Sequence, residues 1–537
     1  LVDGNPSLDV SGLSEDHAAA LEPSLADQVE IIRGPATLLF GSGAAGGVVN
    51  VVTNRIHTVL PDGASGSLEL RGDTPLDERA AAGRVDLAAG SVALHFDGAW
   101  RETDDASIPG GIAPNTWTDT HSGAVGASWI GSAGHLGAAY SRYDSDYGIP
   151  LEDGAYIALQ QRRLDLAGRL ELDGVVEALS LRAAANQYEH AEIAPTGEVG
   201  TQFQLDGREL RVAAELGEVL GFKGVAGLQW QDLDFDAAGE EAFVPPSRTR
   251  SLALYGFAQR ETGDWTTEFG ARAENQRIDA AVAELPDHDG TALSLSAGAL
   301  WRMSADWGLA LQLTRTERNP SATELYADGP HAATGQFEVG NPGFGSERAL
   351  TADVGLRRLA GPVRLELNAF YNRYQGFIFL APAGTVEDDL PVFEFLQRDA
   401  RFFGFEAEAR LPLHPRLQLL LSADYVRGEA DGQDLPRIPP LRLGAGLEFA
   451  SDAWSATLDL QHAFGQERVA AYEDSSAAYT LLGLDVSYAM QVGRQEWRVF
   501  LNGSNLLDEE IRQHTSPLKD SLPLPGRGIA AGVRMAF

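Results

Sequence analysis

Hydrophobic and polar side chains alternate one by one along most of this chain from about residue 65 onward, and helical spacing is scarce. Between Arg416 and Tyr425, Leu417, Leu419, Leu421, Ala423 and Tyr425 share one face. Gln418, Ser422 and Asp424 share the other, with Leu420 the exception. Leu365, Leu367, Ala369 and Tyr371 alternate in the same way with Arg364, Glu366, Asn368 and Phe370. Successive side chains of a strand point to opposite faces, so this spacing predicts β-strands with one apolar and one polar face. Each stretch runs roughly 9–13 residues, longer than an ordinary strand and suited to a tilted strand crossing a bilayer.

The breaks between stretches are of two kinds. Short ones include Gly131-Ser132, Asp173-Gly174, Gly263-Asp264, Ser304-Ala305-Asp306, Gly361-Pro362 and Ser451-Asp452. Long polar segments lie near 102–118, 144–160, 189–203, 235–248, 279–290, 317–346, 377–397, 429–438, 465–477 and 505–525. A soluble sandwich has no reason to sort its connections by length. A transmembrane barrel does, with short turns facing the periplasm and long loops facing outside. The stretches from Ser65 to Phe537 predict an all-β, transmembrane antiparallel β-barrel of about 22 strands, an even number as such barrels require. Trp100, Trp117, Trp129, Tyr140, Tyr143, Tyr255, Trp265, Trp301, Trp307, Tyr371 and Tyr374 fall near predicted strand ends, where aromatic girdles belong.

Composition narrows the function. Acidic side chains outnumber basic ones 77 to 41, for a net charge of −36. Nucleic acid is an unsuitable partner, because phosphate binding needs clustered Lys and Arg. The absence of cysteine excludes disulfides, thiolate metal sites and thiol nucleophiles. Neither G-x-S-x-G nor His-Glu-x-x-His occurs, so nothing points to an enzyme. Acidic external loops would instead concentrate cations.

Residues 1–60 hold few long alternations and one compact glycine-rich stretch, from Arg33-Gly34-Pro35 through Gly41-Ser42-Gly43 to Asn50. A phosphate loop is excluded, because no Lys follows the glycines. Val29-Glu30-Ile31-Ile32 and Val48-Val49-Asn50-Val51-Val52 read as short flanking strands. The whole run from Val29 to Thr53 resembles the plug signature of TonB-dependent outer-membrane receptors. That resemblance spans the chain when the barrel is included. It implies a bacterial outer-membrane location among lipopolysaccharide, and a monomeric barrel with a luminal plug. It also implies active uptake energised by TonB with ExbB and ExbD, and no catalytic cofactor. On it, residues 1–60 are the C-terminal half of the plug and 61–537 the barrel. The first half of the plug and the TonB-contacting segment are then expected ahead of residue 1.

Within that family, several segments resemble the zinc receptors more closely. They are Leu13-Ser-Glu-Asp16-His17, Gly239-Glu240-Glu241-Ala-Phe243-Val-Pro-Pro246, Glu324-Leu-Tyr326-Ala-Asp-Gly-Pro330-His331, Leu435-Pro-Arg-Ile-Pro439-Pro and His514 to Arg527. The resemblance implies metal ligands at Asp16 and His17 on the plug apex, and at Glu241 and His331 in barrel loops. Such a set suits zinc(II), which takes imidazole and carboxylate when thiolate is absent. One departure is that Asp144 to Gln160 lacks the histidines such receptors often carry in an external loop. A rival reading is haem. Haem receptors of the family place an axial histidine between two motifs that Glu317-Arg318-Asn319-Pro320 and Asn341-Pro342-Gly343-Phe344 resemble in degraded form, around His331. A siderophore ranks next and a passive channel last. His190, His288, His414, His462 and His514 receive no ligand role.

Overall fold

The computed structural model describes every residue except 15, 16, 44, 45, 151–153, 332 and 333. β1 (Gln28–Ile32) pairs antiparallel with β2 (Val48–Val52), and the glycine-rich stretch joins them. Gly34 (φ +92°) follows β1 and Gly47 (φ +120°) precedes β2, in left-handed backbone that glycine adopts without a Cβ penalty. Between them Pro35–Leu39 forms a 3₁₀ turn that buries Leu38.

From β3 (Ala64–Asp73), β4 (Arg79–Ala89) and β5 (Val92–Thr103) onward, the described residues form a closed antiparallel barrel of 22 strands. The last strand, Gly528–Ala536, closes it by pairing back onto β3 from Ala530↔Asp73 to Ala536↔Ser67. The predicted alternation holds around the wall. Leu68, Leu70, Phe96, Val125, Leu252 and Leu254 are exposed on the outside, where lipid would cover them. Glu209, Arg211, Gln229, Arg272 and Glu274 are buried on the inside. Trp265 and Trp301 stack face to face at 5.4 Å on the short-turn rim, as a girdle should.

Two expectations need correction. Tyr143 and Tyr255 are buried in the lumen instead of lying in a girdle. Tyr143 is three residues from the outward Tyr140, and an odd offset reverses the face. Several strands also far outrun the expected length. Arg364–Glu387 has 24 residues and Leu390–His414 has 25, so the segment 377–397 is a projecting hairpin, not an irregular loop.

The plug segment lies in the lumen and is held by wall side chains that satisfy its backbone. Arg163 Nη1 donates to the carbonyls of Pro6 and Ser7 (2.7 and 2.9 Å), Asn186 Nδ2 to Leu8 (2.5 Å) and Arg211 Nη2 to Leu39 (2.7 Å). Glycines in the wall make room: a Cβ at Gly270 would meet Pro35 O at 2.7 Å. Unpaired buried carbonyls are costly, so these donors fix where the plug can sit.

Candidate metal site at the plug apex

The plug loop that carries His17 is built on Asp9. Asp9 Oδ1 accepts from Ser11 N–H (3.3 Å) and Ser11 Oγ (2.6 Å), and its Oδ2 from Ala20 N–H (3.4 Å). Such local carboxylate–backbone bonds hold a turn without helix or sheet. Ala18 N–H donates to Tyr147 Oη (3.0 Å), near the long-loop end of the strand Gly134–Gly148. The loop therefore meets the wall at the external rim.

There His17 faces His190 and Glu192, at the external end of the strand Val176–Ile193. One ligand atom from each of the three lies within 4.8 Å of the others. The rings of His17 and His190 are 4.4 Å apart, and His17 Nε2 is 3.8 Å from Glu192 Oε1. Both imidazoles are buried, His17 at 5% and His190 at 1% exposure. Each has an oxygen behind it: Val10 O at 3.3 Å from His17 Nδ1, and Tyr188 Oη at 3.0 Å from His190 Nδ1. In the tautomer protonated at Nδ1, each ring donates backward and carries its lone pair on Nε2. That is the outer-shell arrangement that orients metal-ligating histidines. Phe203 stacks on His190 at 4.6 Å and closes the apolar side.

The predicted ligands separate. His17 is in this group, and Asp16 lies outside the described residues. Glu241 N–H donates to Thr201 Oγ1 (3.0 Å), two residues from Phe203. His331 belongs to a neighbouring arrangement. The helix α1 (Ala322–Tyr326), capped by Ser321 and Glu324, leads into the strand Asp328–His331. His331 stacks on Phe243 at 4.7 Å, with Nε2 on Ser14 Oγ (2.5 Å) and Nδ1 on Glu338 Oε1 (2.8 Å). His190 and Glu192 were missed. Their signal was parity: Asn186, Tyr188 and His190 all face the lumen on one strand.

Above the plug, His331, Phe379, Phe393, Tyr472 and Lys519 border a cavity of about 530 Å³. Burial, with Glu473 second, pushes the Tyr472 hydroxyl up to about 12, so it remains a donor, here to Leu380 O (3.1 Å). Burial likewise holds the His514 imidazole below its ordinary value. Its Nδ1 meets Ser476 Oγ at 3.0 Å and its Nε2 is 3.4 Å from Glu473 Oε1.

Comparison with known proteins defines the class. The family described as "TonB dependent receptor-like, beta-barrel" matches residues 66–506, and the "TonB-dependent Receptor Plug Domain" matches residues 1–48. The "Iron-regulated outer membrane virulence protein" of Vibrio cholerae serotype O1 is 22% identical over 488 residues, 84% of this chain and 70% of that protein. The "Hemin receptor" of Yersinia enterocolitica is 37% identical over 111 residues, 18% of this chain and 16% of that protein. The solved structure of "Copper transporter OprC" superposes with a TM-score of 0.88 at 18% identity, covering 100% of this chain and 90% of that one. Fold and matched regions together define a plugged outer-membrane barrel for active uptake. The chain belongs to the TonB-dependent receptors, which work with TonB, ExbB and ExbD; it is a transporter and not an enzyme.

Proposed function

We propose that this receptor takes up a first-row transition-metal ion, captured at the plug apex by His17, His190 and Glu192. In this reading residues 1–60 serve as plug and 61–537 as barrel. The observation that carries it is the convergence of three ligand atoms within 4.8 Å, one from the plug and two from the wall. A ligand shared between plug and wall couples binding to plug position, because the full donor set exists in only one arrangement. Asp16, beside His17, and Glu241, bonded next to the Phe203 wall, are proposed as further ligands. Two imidazoles with carboxylate suit zinc(II), the ion favoured from sequence, and copper(II) equally. The relatives named above carry iron, haemin and copper in their names, so zinc rests on the donor set alone.

One observation favours haem as a second reading. The cavity of about 530 Å³ is bordered by aromatic rings and by His331, whose Nδ1 lies on a carboxylate as an axial histidine's often does. Coordination would require His331 Nε2 to leave Ser14. Titration of the full chain with zinc(II), copper(II) and haemin decides between them. The metal reading expects an ion held at the plug apex whose binding His17→Ala/His190→Ala abolishes. A haemin Soret shift lost in His331→Ala, with no ion bound by the wild type, overturns it.

A further inference from the structure

We propose a second transition-metal site at the periplasmic end of the lumen, formed by His57, Asp86 and His95, which receives the ion as it leaves the barrel. The two residues Gly90 and Ser91 join β4 to β5, so this rim is the short-turn, periplasmic one. Asp86 lies four residues before Gly90 and His95 four residues after Ser91. They are direct cross-strand partners, so their side chains share the luminal face. His57 comes from the segment between β2 and β3. One ligand atom from each lies within 4.8 Å of the others, and exposures are only 6%, 9% and 1%.

The segment that delivers His57 is clamped in place. Arg55 makes a two-pronged pair with Asp97, Nε to Oδ2 at 2.7 Å and Nη2 to Oδ1 at 3.2 Å. The wall gives up two side chains to admit it. A Cβ at Gly126 would meet Arg55 O at 2.0 Å, and one at Gly137 would meet Ile56 Cγ2 at 2.6 Å. A ligand on such a segment is held in position before any ion arrives.

The bonding within the group is that of a metal site closed around protons. A single oxygen, Asp86 Oδ1, gathers His57 Nε2 (2.8 Å) and His95 Nδ1 (2.7 Å). Bonds of about 2.0–2.1 Å in tetrahedral geometry put neighbouring ligand atoms about 3.3 Å apart, so an entering ion would lengthen each of these two N–O contacts by about half an ångström. The outer shell is already in place. His95 Nε2 lies 2.9 Å from Asp97 Oδ2, which is in turn held by Arg55. A carboxylate behind the second ring nitrogen is what orients a ligating histidine and raises its basicity. Two imidazoles and one carboxylate leave a fourth position open, as ligand exchange in transit requires. The site stands on its own residues; its role as a release station rests on the metal-uptake reading.

The test is cobalt(II) titration of the chelator-stripped full chain in detergent, reading d–d absorption and ions bound per chain. Folding is checked by heat-modifiable migration. The wild type is expected to bind two ions. His17→Ala/His190→Ala keeps one, and adding His57→Gln/His95→Gln removes it. Asp86→Asn preserves shape and is expected to weaken that remaining ion about 100-fold, so it carries the test if the histidine variant misfolds. A folded His17→Ala/His190→Ala variant that binds no cobalt overturns the proposal, as does an ion that survives Asp86→Asn unchanged. One wild-type ion lost only on changing His57 and His95 upholds this site and removes the apex reading instead.

Discussion

Two histidine–carboxylate groups stand at opposite ends of one lumen, and they differ in how tightly they are closed. At the periplasmic site, the junction of the plug segment with the barrel wall, His57 and His95 already bond to Asp86 at 2.8 and 2.7 Å. At the apex His17 Nε2 lies 3.8 Å from Glu192 Oε1, and Val10 O and Tyr188 Oη lie behind the two rings. An arrangement whose supporting bonds point away from the centre resists collapse and accepts an ion with little rearrangement. One whose members bond to each other must exchange those bonds first. The metal reading therefore expects the junction to bind an ion the more weakly of the two, because its members must first give up bonds to one another.

Three measurements can break or sharpen that contrast, and a fourth serves as a control. The largest effect is expected for His17→Ala/His190→Ala, which removes two of three ligands. Ion affinity at the apex should fall by about 100-fold or more, measured by competition with a chromophoric chelator. Next, Gly126→Ala puts a Cβ against Arg55 O and should cost about 1–3 kcal/mol in docking of the His57 segment. Faster amide exchange at 53–63 with apex affinity unchanged is the expected readout; equal loosening of both sites would show that they are not independent. Tyr188→Phe removes the oxygen behind His190 and should weaken the apex about tenfold without altering the junction.

The smallest effect concerns neither site and serves as a control. Burial holds the His514 imidazole below its ordinary value, so the unfolded loop takes up a proton before the folded one does. The loop's stability should be undiminished above about pH 6.5 and fall as pH drops from there toward the folded value. Protease accessibility of 505–527 against pH reads this directly. A flat profile in the wild type, matching His514→Gln, contradicts it.

The barrel was legible because lipid on one side and a wet lumen on the other impose a period of two on every strand. That signal stops where the membrane does. The hairpin Arg364–Glu387 and Leu390–His414 continues beyond it, where Ile378, Ala381 and Val392 are buried against other external segments and lipid no longer imposes the alternation. The plug signature was legible as a contiguous stretch, and His17 came from the separate resemblance of Leu13 to His17 to the zinc receptors. His190 was not, because nothing in a lone histidine at a strand end says what crosses the lumen to meet it. His57, Asp86 and His95 are scattered along the chain and become neighbours only through the β4–β5 register and the path of the segment before β3.

The Arg55–Asp97 clamp also has a mechanical consequence. Only Thr53 and Asn54 separate β2 from it, and three fully extended peptide units span about 10 Å. A pull applied to the plug thus finds almost no slack before it loads a two-pronged ion pair braced against the barrel. While the pair holds, β2 is moored to the wall. The clamp thus makes the end of β2 part of the barrel's own framework.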